Sequence, residues 1–298
     1  MLANHYGEFA ALLTAMFWTV TALAFESATK KVGSIPVNII RLCFAFVFLS
    51  ALNLIFRGHP FPYDASQHAW IWLSLSGLVG FVLGDYFLFK SYPLVGSRVA
   101  MLMMTLVPPI TAIIGWLVLG ETMKFTHIVG MGMVISGIAL AILSRNVNGK
   151  RMSLNQPVRG LLYAFGGAIG QAVGLVLSKY GMRDYDAFAA TQIRVIAGII
   201  GFVIVITLLK RWPNIKSALT DKSAMKGITT GSFFGPFLGV SFSLVAIQYT
   251  TTGIASTIMA IVPVLIIAPA ILIYKQKVTM KEVIGAVISV AGVALLFF

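Results

Sequence analysis

Charged side chains are scarce in this sequence. Lys, Arg, Asp and Glu together make up only 10% of its 298 residues, whereas a soluble globular domain carries roughly 25%. Hydrophobic residues make up 58%, and the mean hydropathy is +0.93. This composition excludes an ordinary soluble domain and indicates an integral membrane protein.

Cysteine and clustered histidine are also lacking. The single cysteine, Cys43, excludes an intrachain disulfide and a cysteine-based metal cluster. The four histidines lack the spacing of metal ligands; they are His5, His59, His68 and His127. The sequence contains no HExxH, no GxSxG and no phosphate-binding loop, and no paired aspartates lie within its apolar runs. We therefore expect no metal, no cofactor and no enzymatic activity. A function powered by ATP hydrolysis would need another chain to bind the nucleotide.

Long apolar runs occupy most of the chain. Each is about 18 to 25 residues long, enough to cross the ~30 Å hydrocarbon layer as a helix. The alternating segments of ~10 residues that signal a membrane barrel do not occur. The first run has no basic leader, so we interpret it as a retained helix rather than a signal peptide. The sequence thus predicts an all-α membrane protein with ten transmembrane helices, at residues 7–27, 35–56, 70–90, 97–119, 126–144, 158–178, 188–209, 225–247, 253–274 and 281–298.

The chain repeats itself across its midpoint. An offset of 153 relates Gly7 to Gly160 and Arg41 to Arg194, and an offset of 155 relates the later positions Gly84 to Gly239, Pro108 to Pro263, and Gly137 to Gly292. We predict a first repeat at 1–146, a linker at 147–157 and a second repeat at 158–298. Because each repeat has five crossings, the second enters the membrane from the opposite side. Inverted repeats of this kind are typical of secondary transporters, whose substrate site lies near the midplane between the halves.

With these features the sequence resembles the drug/metabolite transporter superfamily, and within it the ten-helix transporters made of two EamA-type repeats. The features that carry the resemblance are Trp18 in helix 1, Arg41 and Arg194 in helices 2 and 7, the "VP" pairs ending at Pro108 and Pro263, the "LGE" at 119–121, and the glycine pairs Gly130/Gly137 and Gly285/Gly292. Where the second repeat would carry a similar "GE", this chain has Lys275 and Gln276. The resemblance implies transport of small metabolites, amino acids or drugs by alternating access without ATP. Export is the favoured direction, and proton coupling is an option.

Two other functions were weighed against transport. An intramembrane enzyme would need reactive groups at catalytic spacing, and a non-transporting membrane partner or scaffold would have no polar cavity. The expected partners are a small-molecule substrate and the lipid bilayer. Nucleic acid is not expected despite a net charge of +13, because the basic residues are dispersed among short loops. Both halves lie in one chain, so a monomer suffices, although a dimer is left open.

The positive charges are distributed unequally between the two predicted sides. Sixteen Lys and Arg residues lie on one side and four on the other. Because basic loops favour the cytoplasmic side, the charge pattern predicts that both termini lie outside the cytoplasm. The expected location is the cell membrane, a prokaryotic inner or plasma membrane, which the chain crosses several times. The family resemblance instead implies termini on the cytoplasmic side.

Asp85 is the main candidate for a functional residue. It lies within the third apolar run and shares a helical face with Phe81, Phe89 and Tyr92. An acid in a membrane span often binds a cation or takes part in a proton relay. The alternative is a structural carboxylate paired with an arginine or capped by hydroxyl groups.

Arg41 and Arg194 each lie about six residues inside a span, roughly 9 Å from its end. One interpretation is that both snorkel to the interface. The other is that they pair with Asp85 or Glu26, or bind an anionic substrate group through the planar guanidinium.

Trp18 and Gln171 are the remaining candidates for substrate binding. Trp18 belongs to a polar and aromatic face of helix 1, and Gln171 occupies the related position in helix 6, where small residues dominate. Such small-residue faces also serve close helix packing. Pro108 and Pro263 interrupt helices 4 and 9 and would act either as gating kinks or as static bends.

Overall fold

The computed structural model describes residues 5–119, 125–145, 152–154, 156–250, 252–272, 275 and 278–295. Nearly all of them are helical. The α-helices are α1 (Tyr6–Val32), α2 (Ser34–Arg57), α3 (Gln67–Gly77), α4 (Asp85–Met103), α5 (Val107–Leu119), α6 (Phe125–Ile142), α7 (Val158–Met182), α8 (Ala187–Leu208), α9 (Trp212–Thr220), α10 (Lys222–Ser232), α11 (Val240–Tyr249), α12 (Thr252–Met259), α13 (Val262–Leu265), α14 (Ile267–Leu272) and α15 (Met280–Leu295). The remaining elements are two π-helical segments (Leu78–Gly84 and Phe233–Gly239), a 3₁₀ turn (Met104–Leu106) and two short strands, β1 (Leu143–Arg145) and β2 (Met152–Leu154).

Seven helical stretches among the described residues are long and apolar enough to cross a membrane. One of them, Gln67–Ile114, is 48 residues long and contains a break at Gly96, where φ is 77°. Glycine adopts this backbone conformation without a steric penalty, so the chain turns here between the predicted spans 70–90 and 97–119. The predicted span 253–274 is divided among α12, α13 and α14, and the predicted span 281–298 contains α15.

Polar caps and a glycine define several helix ends. The side chains of Ser66 and Asp186 accept hydrogen bonds from the first turns of α3 and α8, and Asp221 accepts two from α10. Gly58 ends α2 in the left-handed conformation. These local signals explain why the predicted spans end within a few residues of the observed helices.

The two π-helical segments are related by the sequence repeat, because an offset of 155 converts 78–84 into 233–239. In each segment the hydrogen bonds skip an extra residue: the amide of Asp85 donates to the carbonyl of Gly80, and that of Val240 donates to Gly235. π-helical turns are rare and frequently lie at functional sites. The sequence analysis did not predict these segments.

Contacts between the halves follow the same relation. Gly84 lies against Gly170 and Gln171, and its counterpart Gly239 lies against Trp18, the counterpart of Gln171. A methyl group at either glycine would come within about 3.3 Å of its neighbour. The halves therefore pack closely against each other at the π segments, through positions that lack a side chain.

Helices α6 and α15 pack against each other in opposite directions. Gly137 faces Gly285, and Gly130 faces Gly292. Adding 155 to the number of Gly137 gives Gly292, and adding it to that of Gly130 gives Gly285, so the repeat converts each contact into the other. The two helices are therefore related by an approximate twofold axis perpendicular to them. Small residues at both crossings allow the close backbone approach that holds helices together in lipid.

Two connecting elements were not predicted. Helix α9 lies in the connection between α8 and α10, and β1 pairs antiparallel with β2, with Ser144 opposite Ser153. Strand β2 lies in the predicted linker 147–157. Glu121 and Gln276, which belong to the compared "GE" positions, lie outside the described residues.

Candidate functional site

A cavity lies between the two halves. Its empty volume, open solvent included, is about 1110 Å³. Residues of α1, α2, α4 and the first π segment line one part, and residues of α7, α8, α11 and the second π segment line another. Every residue predicted to take part in binding or gating lines this cavity: Trp18, Arg41, Asp85, Pro108, Gln171, Arg194 and Pro263.

Asp85 is paired on both carboxylate oxygens. Arg41 Nη2 donates to Oδ2 at 2.5 Å, and Gln171 Nε2 donates to Oδ1 at 2.5 Å. Asp85 begins α4 directly after the first π segment, so the bulge determines where the carboxylate enters the cavity. The carboxylate thus connects α2 in the first half with α7 in the second.

Arg41 is buried, with 3% of its surface exposed, so it does not snorkel to the interface. Its Nε donates to Asn38 Oδ1 at 3.0 Å. The guanidinium also lies 4.9 Å from the ring centre of Phe89 and 5.4 Å from that of Phe81, distances at which a cation is attracted to an aromatic face. Groups of its own half therefore hold Arg41: the Asp85 carboxylate neutralises its charge, and Asn38 and the two rings orient it.

Arg194 has a different environment from its counterpart. It is 4% exposed, and its guanidinium lies 4.8 Å from the ring centre of Phe81, which also lies close to Arg41. Its Nε has no hydrogen-bond partner among the described residues, nor does Arg194 form an ion pair within the described part of the chain. The position related to Asp85 by the repeat is Val240, which also lines the cavity. The second half therefore has the arginine without the acid.

Trp18 and Gln171 occupy repeat-related positions but make different contacts. Gln171 donates to Asp85 and, at 3.4 Å, to the carbonyl of Gly80 in the first π segment. Trp18 packs against Gly239 at the end of the second π segment. One corner of the cavity is thus a closed polar network, and the related corner carries an aromatic ring.

The cavity wall bends near Pro108 and Pro263. The 3₁₀ turn Met104–Leu106 precedes Pro108, and a turn at residues 260–261 precedes Pro263. The interruptions are again related by the offset of 155. Both turns lie within the four residues before a proline. Because proline has no backbone N–H, the carbonyl four residues earlier loses its helical hydrogen-bond partner.

Glu26 lies near the cavity and pairs with neither buried arginine. Its carboxylate binds Lys30 Nζ and accepts hydrogen bonds from the amide and the hydroxyl of Ser97. Ser97 is the first residue after the break at Gly96, so Glu26 caps the helical segment that restarts there.

Polar contacts also join the halves at each end of the bundle. At the end where α1 meets α2, Arg98 Nη1 donates to Glu282 Oε2 at 2.7 Å. At the opposite end, Arg57 and Asp64 of the first half both bind the Tyr185 hydroxyl of the second. Burial, opposed by Arg57, raises the pKa of Tyr185 to about 12. Tyr185 thus remains a neutral hydrogen-bonding link at physiological pH.

Two contributors to the site were not predicted from the sequence. Asn38 binds Arg41, and Val240 lines the cavity. Val240 could have been found by applying the repeat offset to Asp85. The glycines of both π segments recur three or four residues apart, which was the available signal for a special conformation. Among the described residues, no group of three His, Cys, Asp or Glu side chains could hold a metal ion.

Comparison with known proteins agrees with this architecture. The family model of the EamA-like transporter family matches residues 5–143 and again residues 158–298. One solved crystal structure has the same fold, with a TM-score of 0.62 over 97% of this chain and 95% of its own, at 18% sequence identity. The comparison with curated proteins gives no match. Since the family model covers nearly the whole chain in two copies, the chain belongs to the EamA-like transporter family of the drug/metabolite transporter superfamily.

Proposed function

We propose that this protein is a secondary transporter that moves small organic solutes across the cell membrane by alternating access. In this proposal the chain crosses the membrane ten times, as two five-helix repeats of opposite orientation. The observation that carries the proposal is the cavity between the halves, whose described lining includes three buried charged side chains: Arg41, Asp85 and Arg194. Buried charges of this kind are expensive in a membrane and mark pathways for solutes or protons.

A non-transporting scaffold is the competing function. It needs helix packing but no large polar cavity, and it gives no reason to keep Arg194 in the interior without an ion-pair partner among the residues that the structure describes. The cavity at the junction of two repeats favours a transporter, because carriers with inverted repeats bind substrate at that junction.

The contacts that join the halves support alternating access. The Arg98–Glu282 ion pair joins the halves at one end of the bundle, and the contacts of Tyr185 join them at the other. We propose that the halves rock about the central cavity and break one set of contacts while keeping the other. The π segments and the turns ahead of Pro108 and Pro263 are the sites at which the helices would bend.

Asp85 is the proposed site of proton coupling. Protonation would remove its negative charge and weaken its bonds to Arg41 and Gln171, which belong to different halves. A proton at this position would therefore loosen a contact between the halves. Export is the proposed direction, and it rests on the family resemblance.

Flux into or out of liposomes tests the proposal. Purified protein would be reconstituted and assayed with a panel of labelled organic acids, amines and amino acids, with and without a pH gradient. Trp18→Ala, in the cavity, should reduce flux, while Trp116→Ala, at the exposed surface of α5, should not. Absence of flux for every solute, with the protein folded, would contradict the proposal and favour the scaffold.

The orientation is tested separately. The charge pattern supports termini outside the cytoplasm, and reporters fused to both ends would show the side on which they lie. Cytoplasmic reporters would mean that the family pattern prevails over the distribution of basic residues.

A further inference from the structure

We infer that the transported solute is an organic monoanion, a carboxylate attached to an apolar and preferably aromatic body, and that its carboxylate binds Arg194. This inference rests on the proposed transport function and specifies the substrate class.

The charge balance of the cavity is the first argument. Of the described residues that line it, three are charged: Arg41, Asp85 and Arg194. Asp85 neutralises Arg41 through a direct ion pair. One positive charge remains, on a buried guanidinium whose Nε has no described partner. A solute with a single negative charge would make the cavity neutral.

The repeat identifies the position of the missing charge. In the first half, Arg41 meets the acid that follows the π segment. In the second half, the residue at that position is Val240. Helices α8 and α11, which carry Arg194 and Val240, are in contact. A solute carboxylate beside Val240 would therefore supply to Arg194 what Asp85 supplies to Arg41, through the bidentate geometry that guanidinium groups favour.

Asp85 is not free to bind an amine. One of its oxygens is bound by Arg41 and the other by Gln171. An ammonium group close to the solute carboxylate would lie near Arg194 and would be repelled by its positive charge. Among the described lining residues, no carboxylate other than Asp85 could pair with that ammonium group. Cations are therefore disfavoured, and zwitterionic amino acids should bind more weakly than the same acid without the amine.

The cavity walls define the rest of the molecule. Five aromatic rings of the first half line it: Trp18, Phe25, Phe81, Phe89 and Tyr92. Aromatic walls bury flat apolar groups and favour offset or edge-on ring contacts. The empty volume, about 1110 Å³ with open solvent included, leaves room for an acid the size of a single ring with a short chain.

A matched series of three solutes separates the relevant charges. These are 3-phenylpropanoate, phenylalanine and phenethylamine, which share the ring and chain but carry the acid, both groups or the amine. Binding to purified protein in detergent would be measured by calorimetry, and flux in liposomes of neutral lipid. We expect 3-phenylpropanoate to bind at least about tenfold more tightly than phenylalanine, and phenethylamine not to bind.

Three variants test the role of Arg194. Arg194→Gln should weaken the binding of 3-phenylpropanoate at least about tenfold, since a charge-assisted pair is lost. Val240→Asp should weaken binding at least about tenfold more than the neutral variant of the same shape, Val240→Asn, because only the aspartate occupies the guanidinium with an internal acid. If Arg194→Gln fails to fold, the Val240 pair still decides the question.

The outcomes distinguish this inference from the proposed function. Flux of phenethylamine or phenylalanine in preference to the acid would overturn the inference but leave a transporter. Equal binding of the acid by Val240→Asp and Val240→Asn would overturn the role of Arg194. Flux of none of a broad solute panel would overturn the proposed function itself.

Discussion

Alanine at Gly137 should weaken the packing of α6 against α15, and Gly132 on the same helix provides a matched control. A Cβ atom at Gly137 would lie 2.5 Å from the carbonyl oxygen of Gly285 and 2.7 Å from the amide nitrogen of Ser289. Both neighbours are backbone atoms and cannot rotate away. At Gly132 an added Cβ would meet nothing within 4 Å.

The expected magnitude follows from two opposing effects. Overpacking a tight contact costs about 1–3 kcal/mol. Replacing glycine by alanine in a helix gains about 0.5–1 kcal/mol. The gain is common to both variants, so the difference between Gly137→Ala and Gly132→Ala isolates the steric cost, about 1–3 kcal/mol. Gly132→Ala itself should be neutral or slightly stabilising.

The free energy of unfolding would be measured for both variants in mixed micelles titrated with a denaturing detergent. The facing glycine adds a second check, because Gly285→Ala inserts a methyl group 2.5 Å from the carbonyl oxygen of Gly137 in the same crossing and should be destabilising to a similar extent. If Gly137→Ala and Gly132→Ala are equally stable, α6 and α15 do not cross at these glycines and the arrangement of the halves described here is wrong.

Three further substitutions test individual polar contacts. Asp85→Asn should abolish gradient-driven flux while the protein still folds in detergent, and full coupled flux in this variant would remove Asp85 from the coupling mechanism. Glu26→Gln should lower stability by about 0.5–2 kcal/mol because the cap on Ser97 loses its charge, a change measurable by thermal unfolding. Asn53→Leu should cost about 1–3 kcal/mol, since it leaves buried Gln192 Oε1 without its 2.7 Å hydrogen bond; unchanged stability would show that this contact between the halves is not formed.

The helical architecture and the repeat could be predicted from the sequence, because hydropathy and collinear identities carry that information locally. The spans predicted at 7–27, 35–56 and 188–209 correspond to α1, α2 and α8. Prediction of all-helical membrane structure is thereby confirmed, apart from the short pairing of β1 and β2. Length and apolarity alone give seven candidate spans among the described residues, not ten. The stretch Gln67–Ile114 is counted once although it holds two predicted spans, and the predicted span 253–274 is divided into short helices by turns.

The arrangement of the buried charges could not be predicted in the same way. Sequence spacing allowed Arg41 to pair with Asp85 or Glu26, or to snorkel, and only the three-dimensional packing of α2 against α4 distinguishes these alternatives. The spacing of the glycines signals a special conformation at the π segments, but it does not show that Gly84 lies against Gly170 of the other half. The repeat offset would have shown that the second half lacks an acid related to Asp85, but the difference in environment between Arg41 and Arg194 became visible only once Arg41 was seen to pair with Asp85.

Water access to the cavity tests the central claim most directly. Cys43, the only cysteine, would be replaced by serine, and a cysteine introduced either at Ser243 in the cavity wall or at exposed Ser136 on α6. We predict that a membrane-impermeant thiol reagent modifies the cysteine at position 243 in membranes, that transported solute slows this reaction, and that the cysteine at position 136 does not react. Equal inertness of both positions, from both sides of the membrane, would contradict a solute cavity between the two halves.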